Sequence, residues 1–194
     1  MLNFDKTLIT EKVILRPMQL EDFEAMKTLT TDTQMWYYFT ADLSNEVTLK
    51  NWIATAVHNR EQQKELPFTL VDPANGAIIG TTRIGNISTK DGRVEIGWTW
   101  IAKAYQGTGI NSLVKKLLFN YLFTETATLR IEFKTDVLNI AARKGMEKVG
   151  LVKEGVLRSH TLMTNNRRRD TLYYSILKDE WKVCSSTTLK QPAR

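Results

Sequence analysis

Apolar side chains at Ile110, Leu113, Val114, Leu117, Leu118, Tyr121 and Leu122 recur at i, i+3, i+4, i+7, i+8, i+11 and i+12. That spacing specifies one long amphipathic helix. The segment before it, Tyr105-Gln106-Gly107-Thr108-Gly109-Ile110-Asn111, joins it to a run rich in Trp and Ile at residues 94–101. After it, Leu129, Ile131 and Phe133 alternate with Arg130, Glu132 and Lys134, the period-two pattern of a strand. Strand, glycine loop, helix and strand in this order make a β-α-β unit, whose two strands run parallel. A loop with two glycines that ends on a helix N-terminus also gathers free backbone N–H groups at one point, where an anion, most often a phosphate, is held.

The flanking sequence restricts the rest. Residues 12–17 read as a strand closed by Pro17, and a helix follows from Leu20 to about Leu29 with Glu21, Asp22 and Glu24 near its start. Met35-Trp36-Tyr37-Tyr38-Phe39 is too dense an aromatic run to face inward in any regular element, so it is read either as core or as the wall of an acceptor pocket. Ser44 is placed as the cap of a long helix to about Lys64, with Val47, Trp52, Ile53, Ala56 and Val57 on its apolar face. His58 falls on that helix as a surface or packed residue. Strands at 67–71 and 77–88, a turn at Asp72–Gly76 and a second at Lys90-Asp91-Gly92 leading into 93–101 form consecutive hairpins. A helix over about 140–149 stops at Gly150, and strands at about 152–163 and 170–178 flank Arg167-Arg168-Arg169. The class is α+β. The expected sheet is mixed but mostly antiparallel, has the central β-α-β unit, and carries helices on both faces.

Residues 1–183 are read as one domain, with 184–194 as a flexible tail. No apolar run is long enough for a membrane span, so a cytoplasmic protein is expected, with no membrane partner. One cysteine, Cys184, and two histidines 102 positions apart provide neither a disulfide framework nor a metal site. The formal charge of +6 includes the tip Arg167–Arg169 and lacks interleaved aromatic and basic residues, so nucleic acid is not the expected partner.

Three phosphate-binding patterns compete for the glycine loop. The P-loop pattern fails, since neither a glycine five residues after Gly107 nor a Lys-Ser pair is present. The dinucleotide pattern G-x-G-x-x-G meets Ser112 at its third glycine, and it requires parallel strands where 67–101 reads as hairpins. The acyl-CoA pattern Q/R-x-x-G-x-G/A fits Gln106-Gly107-Thr108-Gly109-Ile110-Asn111 except at Asn111.

With Leu15-Arg16-Pro17 and Asp22, Glu95-Ile96-Gly97-Trp98, Asn139, Glu147-Lys148-x-Gly150, Glu154-Gly155 and Arg169-Asp170-x-x-x-Tyr174-Ser175, the chain resembles the GNAT family of N-acetyltransferases over residues 8 to about 181. The likeness is greatest to the RimJ/RimL branch, which acetylates protein N-termini. The resemblance implies acetyl-CoA as co-substrate and a primary amine as acceptor, most readily an α-amino group of a protein or peptide. It also allows a homodimer. The diphosphate would meet Gln106, Gly107, Thr108, Gly109, Ile110 and Asn111. The pantetheine arm would pair with backbone at Trp98, Trp100, Ile101 and Ala102, and with Asn139 opposite. Arg143 and Lys144 are either phosphate contacts or solvated helix charges.

For the base, Glu95 is the first candidate and His160 the second. Trp36, Tyr37, Tyr174 and Ser175 are candidate acceptor contacts. Family members that carry a Tyr or Ser on the helix after Asn139 differ here, where Met146 and Ala142 stand, so the proton for the leaving thiolate must come from Tyr173, Tyr174, Ser175 or water. A small-molecule amine (antibiotic, polyamine or aminoacyl nucleotide), stacked on the aromatic run 35–39 with Trp98 and Trp100, is the alternative acceptor. A non-catalytic acyl-CoA-binding module is the alternative from another class.

Overall fold

The computed structural model describes residues 1–164 and 166–185. Its strands are β1 (Leu8–Ile9), β2 (Ile14–Pro17), β3 (Leu66–Val71), β4 (Ile78–Ser88), β5 (Arg93–Ile101), β6 (Arg130–Asp136), β7 (Val152–Leu162) and β8 (Arg168–Leu177). Its α-helices are α1 (Asp22–Leu29), α2 (Glu46–Glu61), α3 (Ile110–Glu125), α4 (Ile140–Lys148) and α5 (Lys178–Ser185). The strands form one sheet in the order β1-β2-β3-β4-β5-β6-β8-β7. Every neighbouring pair is antiparallel except β5–β6. The 16-residue α3 is long enough to return the chain to the starting end of the sheet, so these two strands must run the same way.

Helices cover both faces. On one, Val94 and Ile96 of β5 and Ile131 and Phe133 of β6 pack with Ile110, Val114, Leu118, Phe119 and Leu122 of α3, Met146 of α4 and Trp181 of α5. On the other, Met26 of α1 and Leu49, Ile53, Ala56 and Val57 of α2 pack with Trp36 and Trp100. Full burial of one such apolar side chain is worth roughly 1.5–3 kcal/mol. Because side chains alternate across a strand, Glu95 and Lys134 point to the α1/α2 face. Arg16 and Asp22 fasten α1 to the sheet: Nη1 donates to Oδ2 at 3.0 Å, and Thr69 of β3 donates to the same oxygen at 2.6 Å.

Several boundaries differ from the sequence expectation. The cap of α2 is Asn45, whose side chain accepts the Thr48 N–H at 3.0 Å, while Ser44 donates its hydroxyl to Asp42. Val47 is consequently exposed, and Leu49 takes the core position. The short strand β1 was not expected from its two residues. Helix α5 extends to Ser185, two residues into the expected tail, and residues 186–194 lie outside the described set. Among the described residues, no helix is long and apolar enough to cross a membrane.

Candidate active site

The parallel pairing of β5 with β6 is short. Arg93, Val94 and Glu95 sit in register with Arg130, Ile131 and Glu132, and the pairing then ends. Immediately beyond, β5 bulges: Arg83 of β4 faces Gly97 and Thr81 faces Trp100, so Trp98 and Thr99 both lie opposite Thr82. Trp98 has φ +52, a conformation an aromatic residue keeps only when its surroundings impose it. The Arg83 guanidinium carbon lies 5.1 Å from the Trp98 ring centroid and 4.7 Å from that of Trp52. Gly85 supplies the room, because a Cβ there would come within 2.9 Å of the Trp98 ring. Glu65 accepts from Arg83 Nη1 at 2.7 Å, while Nε and Nη2 are buried without a partner. This stack of side chains turns β5 away from β6.

The gap opens into a cleft of about 390 Å³ that passes between the strands from one face of the sheet to the other. Asn111, Lys115, Asn139, Ala142 and Met146 line it from α3 and α4, and Tyr38, Phe39, Glu95, Lys134, His160 and Arg169 line it from the other side.

At the α3 side, Gly107 and Gly109 have φ +77 and +89, and a Cβ on either would meet nothing within 4 Å. Glycine is needed there for the backbone conformation rather than for space. Gly109 is the N-cap of α3 and has no side chain to cap it. The N–H groups of residues 107–112 consequently find no acceptor among the described residues. Gln106 donates its amide to the Ile101 carbonyl at 2.9 Å, and Thr108 donates its hydroxyl to the Tyr105 carbonyl at 2.7 Å. Both side chains hold the loop and leave ligand contact to the backbone. Asn139 caps α4 by accepting the Ala142 N–H at 3.0 Å, which leaves its amide N–H groups for the cleft.

On the other face Glu95 is 6% exposed. Its Oε2 accepts from Asn86 Nδ2 and from Lys134 Nζ, each at 2.6 Å. Its Oε1 lies over Gly97, 3.5 Å from where a Cβ would stand, and takes no hydrogen bond. Burial pushes Lys134 down, but the Glu95 carboxylate and Tyr173 more than reverse this, so it stays above the ordinary lysine value. His160 is exposed on β7, with Nδ1 3.0 Å from Thr171 Oγ1 and its ring 6.1 Å from that of Tyr173. Arg169, lowered by burial, donates from Nε to Thr171 Oγ1 at 3.0 Å.

An N-terminal anion loop, a split parallel pair and a carboxylate beside the split together form a site for a phosphorylated, amide-bearing donor. A profile described as "Acetyltransferase (GNAT) domain" matches residues 12–152. The chain belongs to the GNAT acetyltransferase family. It is 28% identical over 187 residues to a Bacillus subtilis protein named "Putative ribosomal N-acetyltransferase YdaF", covering 90% of this chain and 96% of that one. Among solved structures, a GCN5-related N-acetyltransferase from Brucella melitensis superposes with a TM-score of 0.84 at 20% identity, over 94% of this chain and 83% of that one. The ribosomal-protein-S5-alanine acetyltransferase of Vibrio fischeri superposes with a TM-score of 0.76 at 20% identity, over 91% of this chain and 99% of that one. As a GNAT enzyme the chain is an acyltransferase that uses acetyl-CoA as co-substrate and an amine as acceptor.

Within this GNAT domain several expected contacts lie elsewhere. Trp36 is 1% exposed, with Nε1 donating to the Thr30 carbonyl at 3.0 Å, so it belongs to the α1/α2 core. Trp100 is 5% exposed and meets Trp36 edge-on, so it offers no free stacking face, while Trp98 holds the Arg83 guanidinium and lines the cleft. The side chains of Ile101, Ala102 and Ile110 are buried, which leaves only their backbone for a ligand. Tyr37 is exposed beside the Arg167 guanidinium. Tyr174 is fully buried and donates to Glu147 Oε1 at 2.9 Å, and Ser175 donates to Glu154 Oε1 at 2.6 Å. Both are structural partners of the motif glutamates rather than acceptor contacts. Arg143 turns inward to the Val137 carbonyl at 2.9 Å, and Lys144 is exposed on α4.

Tyr38, Phe39, Lys134, Arg169 and Lys115 line the cleft but were not named as site residues from the sequence. Tyr38 and Phe39 belong to the aromatic run that had been identified, and Tyr38 donates its hydroxyl to the Leu138 carbonyl at 3.2 Å. The basic turn is used internally as well: Arg167 pairs with Asp136, and Arg168 donates to Ser159.

Proposed function

We propose that the protein transfers the acetyl group of acetyl-CoA to an α-amino group of a protein or peptide. The observation that carries this reading is the split between β5 and β6 beyond Glu95 and Glu132, with free N–H groups at one mouth and a carboxylate at the other. The diphosphate would rest on the N–H groups of residues 107–112. The pantetheine amides would bond the unpaired edge of β5 and the free amide of Asn139. Backbone N–H groups of β5 past Gly97 would stabilise the thioester oxyanion, a donor of that kind being worth about 3 kcal/mol.

Glu95 is the group that would take the proton of the attacking ammonium, through Oε1 directly or through water. Lys134 and Asn86 both bond Oε2, which fixes the carboxylate and leaves Oε1 for the proton. An α-amine, of which about one in ten is neutral at pH 7, asks less of a general base than a lysine side chain, where the fraction is below about one in a thousand. A small planar amine is the alternative acceptor, since Tyr38, Phe39 and Trp98 line the cleft, although Trp100 is buried.

Incubation with acetyl-CoA and peptides of two kinds tests the reading. One set has a free N-terminus and no lysine; the other has a blocked N-terminus and one lysine. Mass spectrometry should find acetyl on the first set with stoichiometric release of CoA. Acetylation confined to the lysine peptides or to small amines would sink it.

A further inference from the structure

One polar group in the cleft is unexplained by anything above. Lys115, in the second turn of α3, is 7% exposed and lines the cleft beside Ala142 and Met146. Its ammonium donates to the side-chain oxygen of Asn111, one turn back toward the helix N-terminus, and this is its one hydrogen bond. Among the described residues no carboxylate pairs with it. The other titratable groups of the cleft are Tyr38 ahead of α2, Glu95 on β5, Lys134 on β6, His160 on β7 and Arg169 on β8. Of these, Glu95 is already bonded to Lys134 and Asn86.

A cation at this place is doubly unfavourable. It is removed from water without an anion, and it lies at the positive end of the α3 dipole. Burial alone pushes it down to about 8. A neutral side chain such as Met would be more stable in the empty protein. What makes the arrangement favourable is an anion delivered to the same point. Asn111 completes the argument: with its oxygen taken by Lys115, its amide has only N–H donors left to offer. This accounts for the departure from Gly or Ala in the acyl-CoA loop, since the side chain adds donors next to the free N–H groups of residues 107–112.

We propose that Lys115 and Asn111 act as a pair that binds the diphosphate of CoA, adding a charged contact to the backbone loop. The proposal rests on the acetyl-CoA reading of the cleft. When the anion binds, the Lys115 ammonium is stabilised, so binding carries proton uptake from about pH 8 up to the ordinary lysine range near pH 10.4.

Titration calorimetry of the wild type and Lys115→Met with acetyl-CoA, acetyl-dephospho-CoA and acetyl-pantetheine tests this. The variant should bind the first two about tenfold or more weaker, by equal factors, because both keep the diphosphate. Its affinity for acetyl-pantetheine, which has no phosphate, should not change, and the empty variant should melt at a higher temperature than the wild type. Unchanged acetyl-CoA affinity would overturn the proposal, as would an equal loss for acetyl-pantetheine. A loss confined to acetyl-CoA would assign Lys115 to the ribose phosphate and overturn it too. Should Lys115→Met not fold, the wild type alone decides. At pH 8.5, in buffers of different ionisation enthalpy, it should take up protons with acetyl-CoA and none with acetyl-pantetheine, and the absence of that difference would refute it. Failure of the wild type to bind acetyl-CoA at all would instead remove the reading of the cleft itself.

Discussion

The two ends of the β5–β6 pair are built from the same kinds of residue and behave in opposite ways. At the closed end the strands are in register, and Glu132 is held by Arg130 Nε at 2.8 Å and by Arg93 at 3.6 Å. Arg130 also makes a two-pronged pair with Glu154 across β8. At the open end Glu95, directly beside Glu132 in the register, turns to Lys134 and Asn86 and borders the cleft. Two adjacent carboxylates repel each other unless each has its own cation. Here one cation lies toward the seam and the other toward the split. The difference shows how the parallel pair is opened: ion pairs close the seam, and a bulge held by Trp52, Arg83 and Trp98 ends it.

If the ends are separate in function, substitutions at each should affect different measurements. The largest effect is expected at the open end. Glu95→Gln should lower kcat by about 10²–10³, the range of a lost general base, with acetyl-CoA affinity held within a few-fold. An unchanged kcat would remove Glu95 from catalysis and favour a module that only binds acyl-CoA. Arg83→Met should cost about 3 kcal/mol in urea unfolding, because it strands the Glu65 carboxylate at a largely buried position. It should also lower kcat/KM, since Trp98 loses the guanidinium that holds the bulge. Lost stability with normal kinetics would show that the bulge is kept by other contacts.

The smallest effect belongs to the closed end. Arg130→Met should cost about 1 kcal/mol, as Glu154 is more than a third exposed, and it should leave kcat unchanged. Its pH dependence has a definite sign. Arg130 and, next, Ser175 hold the Glu154 carboxyl below its ordinary range. The stability it lends is therefore present above the unfolded carboxylate value near 4.3 and is lost as pH falls through the lowered folded value. The gap between wild type and variant should narrow on acidification below about pH 4. A kinetic defect in this variant would mean that the seam and the cleft are coupled.

Much of this was legible in the chain. The period of α3, the two glycines before it and the hairpin turns at residues 72–76 and 90–92 depend on local rules, and each appears in the fold within a few residues. Asn139, read as a pantetheine contact, is a helix cap through its oxygen, and its amide N–H groups stay open to the cleft. Where the reading failed, it failed on direction. The run 35–39 was recognised as exceptional, but only packing decides that Trp36 is buried while Tyr38 and Phe39 reach the cleft. Tyr174 and Ser175 were named as acceptor contacts, although register on β8 gives them to Glu147 and Glu154.

The sequence alone determined the elements, the β-α-β unit and the anion loop, because dihedral preference and hydrophobic period are properties of neighbours along the chain. Tertiary structure decided which charges meet. That Glu95 is bound to Lys134, 39 positions away, follows from the parallel register of two strands. That Lys115 is buried with no carboxylate partner among the described residues follows from the packing of α3 beneath the split. Neither has a local signal, since desolvation and ion pairing depend on what the rest of the fold places within a few ångströms.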